Sequence, residues 1–234
     1  MLKNLIELTK VRIGFLVLVT TVIGFYLGSQ GQIDLSLLFF TIIGTLLCST
    51  GSSVMNNVIE SETDKLMERT KNRVLPTQKI SLLSAKIIGF TFIISGLSIL
   101  NFKVNSTTCI LSLITIISYL FLYTPLKRKS WLNTSIGAIP GALPPLGGWT
   151  AATGSLEWGG IAVFLILFFW QHPHFYSIAY LYKDDYKNAG LQMLPVIDGG
   201  IKRTVLHIFL HALILIPIST LPFFFGVSGR VYFV

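Results

Sequence analysis

The stretch Asn56 to Arg73, NNVIESETDKLMERTKNR, places four carboxylates and four cations where a long apolar run ends. Asn56, Glu60 and Asp64 stand four residues apart, so on a helix their oxygens line one face. Charged groups at a membrane boundary are costly unless something binds there. An oxygen-lined, mostly anionic face suits Mg²⁺, which keeps one or two carboxylates and takes further ligands from a substrate phosphate. The cations that follow, Lys65, Arg69, Lys71 and Arg73, suit the remaining oxygens of a polyphosphate. A solvated, charged loop is the plain alternative; the four-residue spacing of oxygens leading out of an apolar run favours a metal–phosphate site.

Three further clusters carry chemistry. Asp184 and Asp185 sit in YLYKDDY (180–186). Two carboxylate clusters that face one another can hold two metal ions bridging one diphosphate. Tyr123 to Lys129, YTPLKRK, offers a hydroxyl and cations for phosphate oxygens, although spacing alone reads it as an interfacial tyrosine and basic anchor. Trp170 to Tyr176, WQHPHFY, puts His172 and His174 at membrane depth, where ionisable groups are functional candidates. His207 and His211 share a helical face and could ligate a metal or haem iron, but such a pair near a helix start is more often polar interfacial structure. Cys48 and Cys109 lie in apolar runs without CxxC spacing and read as small buried hydrophobes.

The elements that must position these groups are membrane helices. The 234 residues are 52% hydrophobic and 12% charged, with mean hydropathy +0.71; a soluble domain carries about a quarter charged residues. Seven spans of bilayer length are expected, at about 11–28, 35–57, 81–100, 106–125, 132–152, 158–181 and 205–227. The fifth holds Pro140, Pro144 and Pro145 with four glycines and is expected to be kinked or partly unwound. Lys10 and Arg12 interrupt any early apolar stretch, so no cleavable signal peptide is expected. With the N-terminus inside, sixteen of the eighteen Lys and Arg fall on the inner side; only Lys103 and Arg230 fall outside. The positive-inside rule therefore sets the orientation and accounts for the +8 charge, leaving nucleic-acid binding without support. The two longest loops, about 58–80 and 182–204, share the cytoplasmic side and hold seven of the ten acidic residues. The fold class is thus an all-α polytopic membrane protein.

In this order the clusters resemble the UbiA superfamily of intramembrane prenyltransferases, whose first signature is N-x-x-x-D-x-x-x-D. Asn56, Glu60 and Asp64 occupy it, with Glu60 in place of Asp. The pattern is most similar to the protoheme IX farnesyltransferase (haem O synthase) branch. It runs through Glu7-Leu-Thr-Lys10-Val-Arg12, Glu68-Arg69-Thr70-Lys71-Asn72-Arg73, Tyr123-Thr-x-x-Lys127-Arg128, Asn133, Gly137, Gly141 and Pro144-Pro145. It closes with Pro173-His174-Phe175 and Lys183-Asp184-Asp185-Tyr186-x-x-Ala189-Gly190-x-x-Met193-Leu194-Pro195-Val196. Val11 and Val74 stand where the branch has proline, and the second motif is a DY form instead of D-x-x-x-D. The branch has nine helices against seven expected here, so residues 1–234 are expected to be a single prenyltransferase domain of the UbiA-type bundle, lacking the last two helices.

The resemblance implies transfer of farnesyl from farnesyl diphosphate to a vinyl group of haem B, giving haem O on the route to haem A, with Mg²⁺ as cofactor and haem A synthase as a partner. It implies Asn56, Glu60, Asp64, Asp184 and Asp185 as metal ligands, Asn56, Glu60, Asp64 and Asp185 being catalytic. Arg69, Arg73, Tyr123, Lys127, Lys183 and Tyr186 would bind substrate, and His174 would contact haem. The expected location is the bacterial inner membrane, ahead of the mitochondrial one, with acidic loops cytoplasmic. An aromatic prenyltransferase of quinone biosynthesis, a transporter with a midplane site and a non-catalytic haem-binding assembly factor are the alternatives.

Overall fold

The computed structural model describes residues 2–233; the outermost residues of the expected domain, Met1 and Val234, lie outside them. The described residues form helices α1 (Leu2–Leu8), α2 (Val11–Gly28), α3 (Leu35–Asp64), α4 (Leu82–Ile99), α5 (Ser106–Ile117), α6 (Thr124–Leu126), α7 (Asn133–Thr153), α8 (Trp158–Leu181), α9 (Lys183–Asn188), α10 (Leu194–Ile197), α11 (Lys202–Phe224) and α12 (Arg230–Phe233), and no strand occurs among them. A π-helical turn, Leu100–Val104, extends α4, and a second, Ser118–Tyr123, joins α5 to α6. That second turn widens the helix directly before Pro125, which has no N–H for the carbonyl four residues back and crowds it.

Short polar side chains start three of the long helices. Asp34 accepts from the Leu37 amide, Ser81 from Ser84 and Asn105 from Thr108, each satisfying an otherwise orphaned donor. The bundle then closes by packing α3 on α4, α2 on α7, α7 on α5 and α8, and α8 on α11. Small residues permit these approaches. A methyl group added at Gly24 would strike the Pro145 carbonyl, and one at Gly148 the Thr21 carbonyl, so α2 and α7 touch backbone to backbone.

Six helices are long and apolar enough to cross a membrane; Asn133–Thr153, the expected fifth span, is not among them. Its position supplies the reason. Twelve of its residues are buried, including Asn133, Thr134 and Thr150, so protein and not lipid surrounds it and its sequence need not be uniformly apolar. The expected unwinding does not occur: the helix runs without interruption from Asn133 to Thr153 across its three prolines. At the other extreme, α11 buries only Thr204 and Pro222 and lies at the edge of the bundle.

Helix α3 matters most for the site. Its 30 residues span roughly 45 Å at 1.5 Å per residue, against a hydrocarbon layer of about 30 Å. Its last turns therefore carry Asn56 to Asp64 out to the polar end of the bundle. There a small apolar core of Met67, Ala179, Ala189, Leu191 and Met193, flanked by Tyr186 and Val196, ties the loop after α3 to the segment after α8.

Candidate functional site

The three α3 oxygens are held apart from solvent. Asn56 is 1% and Asp64 2% exposed, which a solvated loop would not produce, and the Glu60 side chain is 16% exposed. Each meets a cation from a different segment. Lys10, at the junction of α1 and α2, donates from Nζ to Asn56 Oδ1 at 3.0 Å. Lys127, just past α6, reaches Glu60 Oε1 at 2.7 Å. Arg73, from the loop after α3, reaches Asp64 Oδ2 at 2.9 Å.

Further contacts fix these groups. Asn56 Nδ2 donates to Thr124 Oγ1 at 3.1 Å, and Thr124 donates to the Tyr119 carbonyl at 2.8 Å, so the Asn56 amide can turn only its oxygen toward Lys10. The π turn sets Tyr119, Tyr123 and Lys127 on one face: the tyrosine rings stack at 5.8 Å and the ammonium lies 4.5 Å from the Tyr123 ring centre. Tyr123 in turn rests against Gly137, where any side chain would collide with the ring. Arg128 donates to the Thr63 hydroxyl. Lys10 adopts left-handed backbone angles, φ 50° and ψ 49°, uncommon for a residue with a Cβ. The Asn57 amide holds the preceding turn by donating to the Leu8 carbonyl at 2.9 Å.

Electrostatics follow from this crowding. Desolvation, then the neighbouring Arg73 guanidinium, pulls the Lys10 ammonium down to about 8. For Lys127 desolvation acts in the same sense but is outweighed by Tyr123 and Glu60, which hold it above the ordinary lysine range. The donor set fits Mg²⁺: an amide and two carboxylate oxygens on one helix face, without thiolate or imidazole among them. Among the described residues no three His, Cys, Asp or Glu side chains converge as a cage. An Mg²⁺ ion completed by substrate phosphate does not require one.

The second acidic motif reaches the same end of the bundle. Asp185 accepts from the Glu68 amide at 3.2 Å and the Arg69 amide at 3.3 Å, fastening the loop after α3 to α9. Asp184 is exposed and makes no hydrogen bond or ion pair among the described residues. The Arg69 guanidinium lies 5.0 Å from the Tyr182 ring centre and the Lys183 ammonium 5.5 Å from that of Tyr180, both side chains exposed. Tyr186 is partly buried against the small apolar core. Asn133 is fully enclosed and donates to the Ser130 and Gln192 carbonyls, pinning the segment before Met193 to the start of α7. The Met193–Val196 run is thus scaffold for the site.

The histidines separate by burial. His174 is exposed and stacks on Trp170 at 5.0 Å. His172 is 1% exposed, bonded through Nδ1 to the Phe168 carbonyl at 2.8 Å and through Nε2 to Ser135 at 3.1 Å, with His211 stacked on its ring at 4.1 Å. Both ring nitrogens of His172 are therefore engaged within the protein.

Sequence reasoning missed Lys10 and Thr124 as site groups. Beside Arg12 at the inner end of a span, Lys10 has the same sequence appearance as any basic anchor.

Fold and site together define a polytopic α-helical membrane protein with paired oxygens and cations at one end of its bundle. Residues 17–234 match the model of the UbiA prenyltransferase family, and the chain belongs to that family. It is 43% identical over 242 residues to a protoheme IX farnesyltransferase of Solibacter usitatus, covering all of this chain and 83% of that one. Its fold is similar to that of a digeranylgeranylglyceryl phosphate synthase (TM-score 0.82, 20% identity, 99% of this chain and 81% of that chain). It is also similar to a UbiA homolog from Archaeoglobus fulgidus bound to DMAPP and Mg²⁺ (TM-score 0.79, 17% identity, 97% and 80%).

Proposed function

We propose that this protein transfers the farnesyl group of farnesyl diphosphate to a vinyl group of haem B, giving haem O and diphosphate as a step toward haem A. The observation that carries the reading is the α3 face itself. Three oxygen-bearing side chains, Asn56 and Asp64 buried and Glu60 partly so, meet three cations at the end of an apolar bundle in a chain 43% identical to a protoheme IX farnesyltransferase. Asn56, Glu60 and Asp64 would hold Mg²⁺, which when bound neutralises the diphosphate. Arg73, Lys127, Arg69 and Tyr123 would bind the phosphate oxygens, with Lys183 and Tyr186 at the margin of the site. Asp185 acts by holding Arg69 and its loop in register, while Asp184 remains available at the rim.

The chemistry follows from where charge develops. As the allylic C1–O bond breaks, its electron pair leaves with the diphosphate, so Lys127 and Arg73 stabilise the transition state more than the ground state. The haem vinyl group forms the new C–C bond to farnesyl C1. Water adds to the resulting cation and loses a proton, leaving the hydroxyl. The apolar bundle shields the allylic cation from early capture by water. His174, exposed beside Trp170, is the proposed haem contact. Location in a bacterial inner membrane, with the basic end cytoplasmic and haem A synthase taking the product, completes the reading.

The test incubates the purified protein with labelled farnesyl diphosphate, Mg²⁺ and haem B, with 4-hydroxybenzoate as a parallel acceptor. Haem O with released diphosphate is the expected outcome. Label transferred to the phenol ring and none to haem would replace haem with an aromatic acceptor, and no diphosphate release with either would remove the enzyme reading.

A further inference from the structure

Each of the three α3 side chains already has a cationic partner on one oxygen, and the three partners arrive from segments far apart in sequence. Lys10 holds Asn56, Lys127 holds Glu60, and Arg73 holds Asp64. Glu60 and Asp64 each keep a second oxygen for a metal ion, but Asn56 has only Oδ1, so a metal that takes it competes with Lys10, and a displaced ammonium then needs an anion. Lys10, Arg12 and Arg73 line one cavity of about 410 Å³, with Asp64 and Asn57 in its wall. Cavities of about 300–1,000 Å³ are the size that holds small ligands. Lys10 is well placed for such an exchange. Its backbone is held by the Asn57–Leu8 bond behind it and by Leu8 packing with Val54 and Leu75, while its ammonium sits at the end of a flexible stem.

Charge balance gives the exchange a direction. Three cations face two carboxylates, so the cluster carries one net positive charge. A divalent cation alone adds two positive charges beside Lys10, Arg73 and Lys127, and like charges oppose it. Diphosphate alone sets several negative charges against Glu60 and Asp64. Together they cancel.

We propose that Lys10 is a substrate-binding residue that serves as the counter-group of Asn56 until a metal takes the amide oxygen. It then binds a diphosphate oxygen, so metal and diphosphate bind in mutual dependence. This rests on the metal–diphosphate reading of the site.

Mn²⁺ binding followed by electron paramagnetic resonance, and pyrophosphate binding followed by calorimetry, test it on the full chain in nanodiscs. In the unmodified protein, saturating pyrophosphate should tighten Mn²⁺ by about tenfold or more, within the roughly 5–150-fold span of ordinary coupling between sites. Lys10→Met should bind Mn²⁺ alone about threefold tighter and pyrophosphate with Mg²⁺ about tenfold weaker, shifts of opposite sign that general damage to the fold does not produce. Lys10→Arg should restore pyrophosphate affinity. If Lys10→Met loses its cooperative melt, Lys10→Gln is read the same way. Affinities both unchanged or both weakened in a folded variant overturn the role of Lys10 and leave the metal–diphosphate reading standing. A wild-type chain that binds neither probe, separately or together, overturns both.

Discussion

Asp64 is nearly enclosed and gives its carboxylate to Arg73, so a neutral replacement of the same shape isolates its charge. Asp64→Asn should lower Mg²⁺-dependent turnover of farnesyl diphosphate by about 10²–10³-fold, the scale of losing one group that stabilises developing charge. Its thermal melt should stay cooperative, and near-normal turnover would remove Asp64 from the metal set. The two histidines of the HPH run divide in the same way. His172→Ala leaves the Phe168 carbonyl and the Ser135 hydroxyl without a partner, which should cost about 1–3 kcal/mol in a detergent melt. His174→Ala, at an exposed position, should leave the melt within about 0.5 kcal/mol. Loss of haem conversion in that stable variant, with diphosphate binding intact, would place His174 at the acceptor; full conversion would exclude it. Residue types and spacing made Asn56, Glu60 and Asp64 legible in advance. They did not separate His172 from His174, because the proline between them suggested an irregular backbone, whereas α8 runs continuously through Pro173 and residues two apart on a helix point to nearly opposite sides.

Among the elements, α9 and the loop after α3 behave as one piece. Asp185 joins them through two backbone amides, and Met67 inserts into the small core formed with Ala189, Leu191 and Met193. Asp185→Ala should raise hydrogen–deuterium exchange at Glu68 and Arg69, since those amides lose their acceptor. Unchanged exchange together with weaker Mn²⁺ binding would instead make Asp185 a metal ligand. The motif 183–196 was legible as a unit, but the contacts of Asp185 were not. A DD pair next to a helix reads as metal-binding from sequence, but the amides that Asp185 also accepts from lie more than a hundred residues away in the chain. Helix α7 makes the related point. Its prolines and glycines suggested a broken helix, yet packing against α2, α5 and α8 keeps it intact, and Gly148 is needed for contact with the Thr21 carbonyl.

For the whole molecule, the distribution of basic residues predicts an orientation that puts the site at one face. The loops that hold Arg73, Lys127 and Asp185 are all on the side predicted to be cytoplasmic, and the cavity by Asp64 lies at that end. A membrane-impermeant maleimide should label Lys129→Cys from the cytoplasmic face only and Lys103→Cys from the opposite face only. The two native cysteines are shielded, Cys48 buried and Cys109 half-buried, and give little background. Labelling of both introduced cysteines from the same face would contradict the topology on which the single-ended site depends.

Local chemistry determined a good deal here. Apolar run lengths gave the helical membrane fold and the four-residue spacing gave the oxygen face, while Lys and Arg asymmetry predicts the orientation, because each depends only on near neighbours and on the bilayer. Tertiary structure alone decided which cation meets which oxygen. Lys10, Arg73 and Lys127 converge from three segments, and a side chain's partner across the bundle is set by helix packing, which no local pattern encodes.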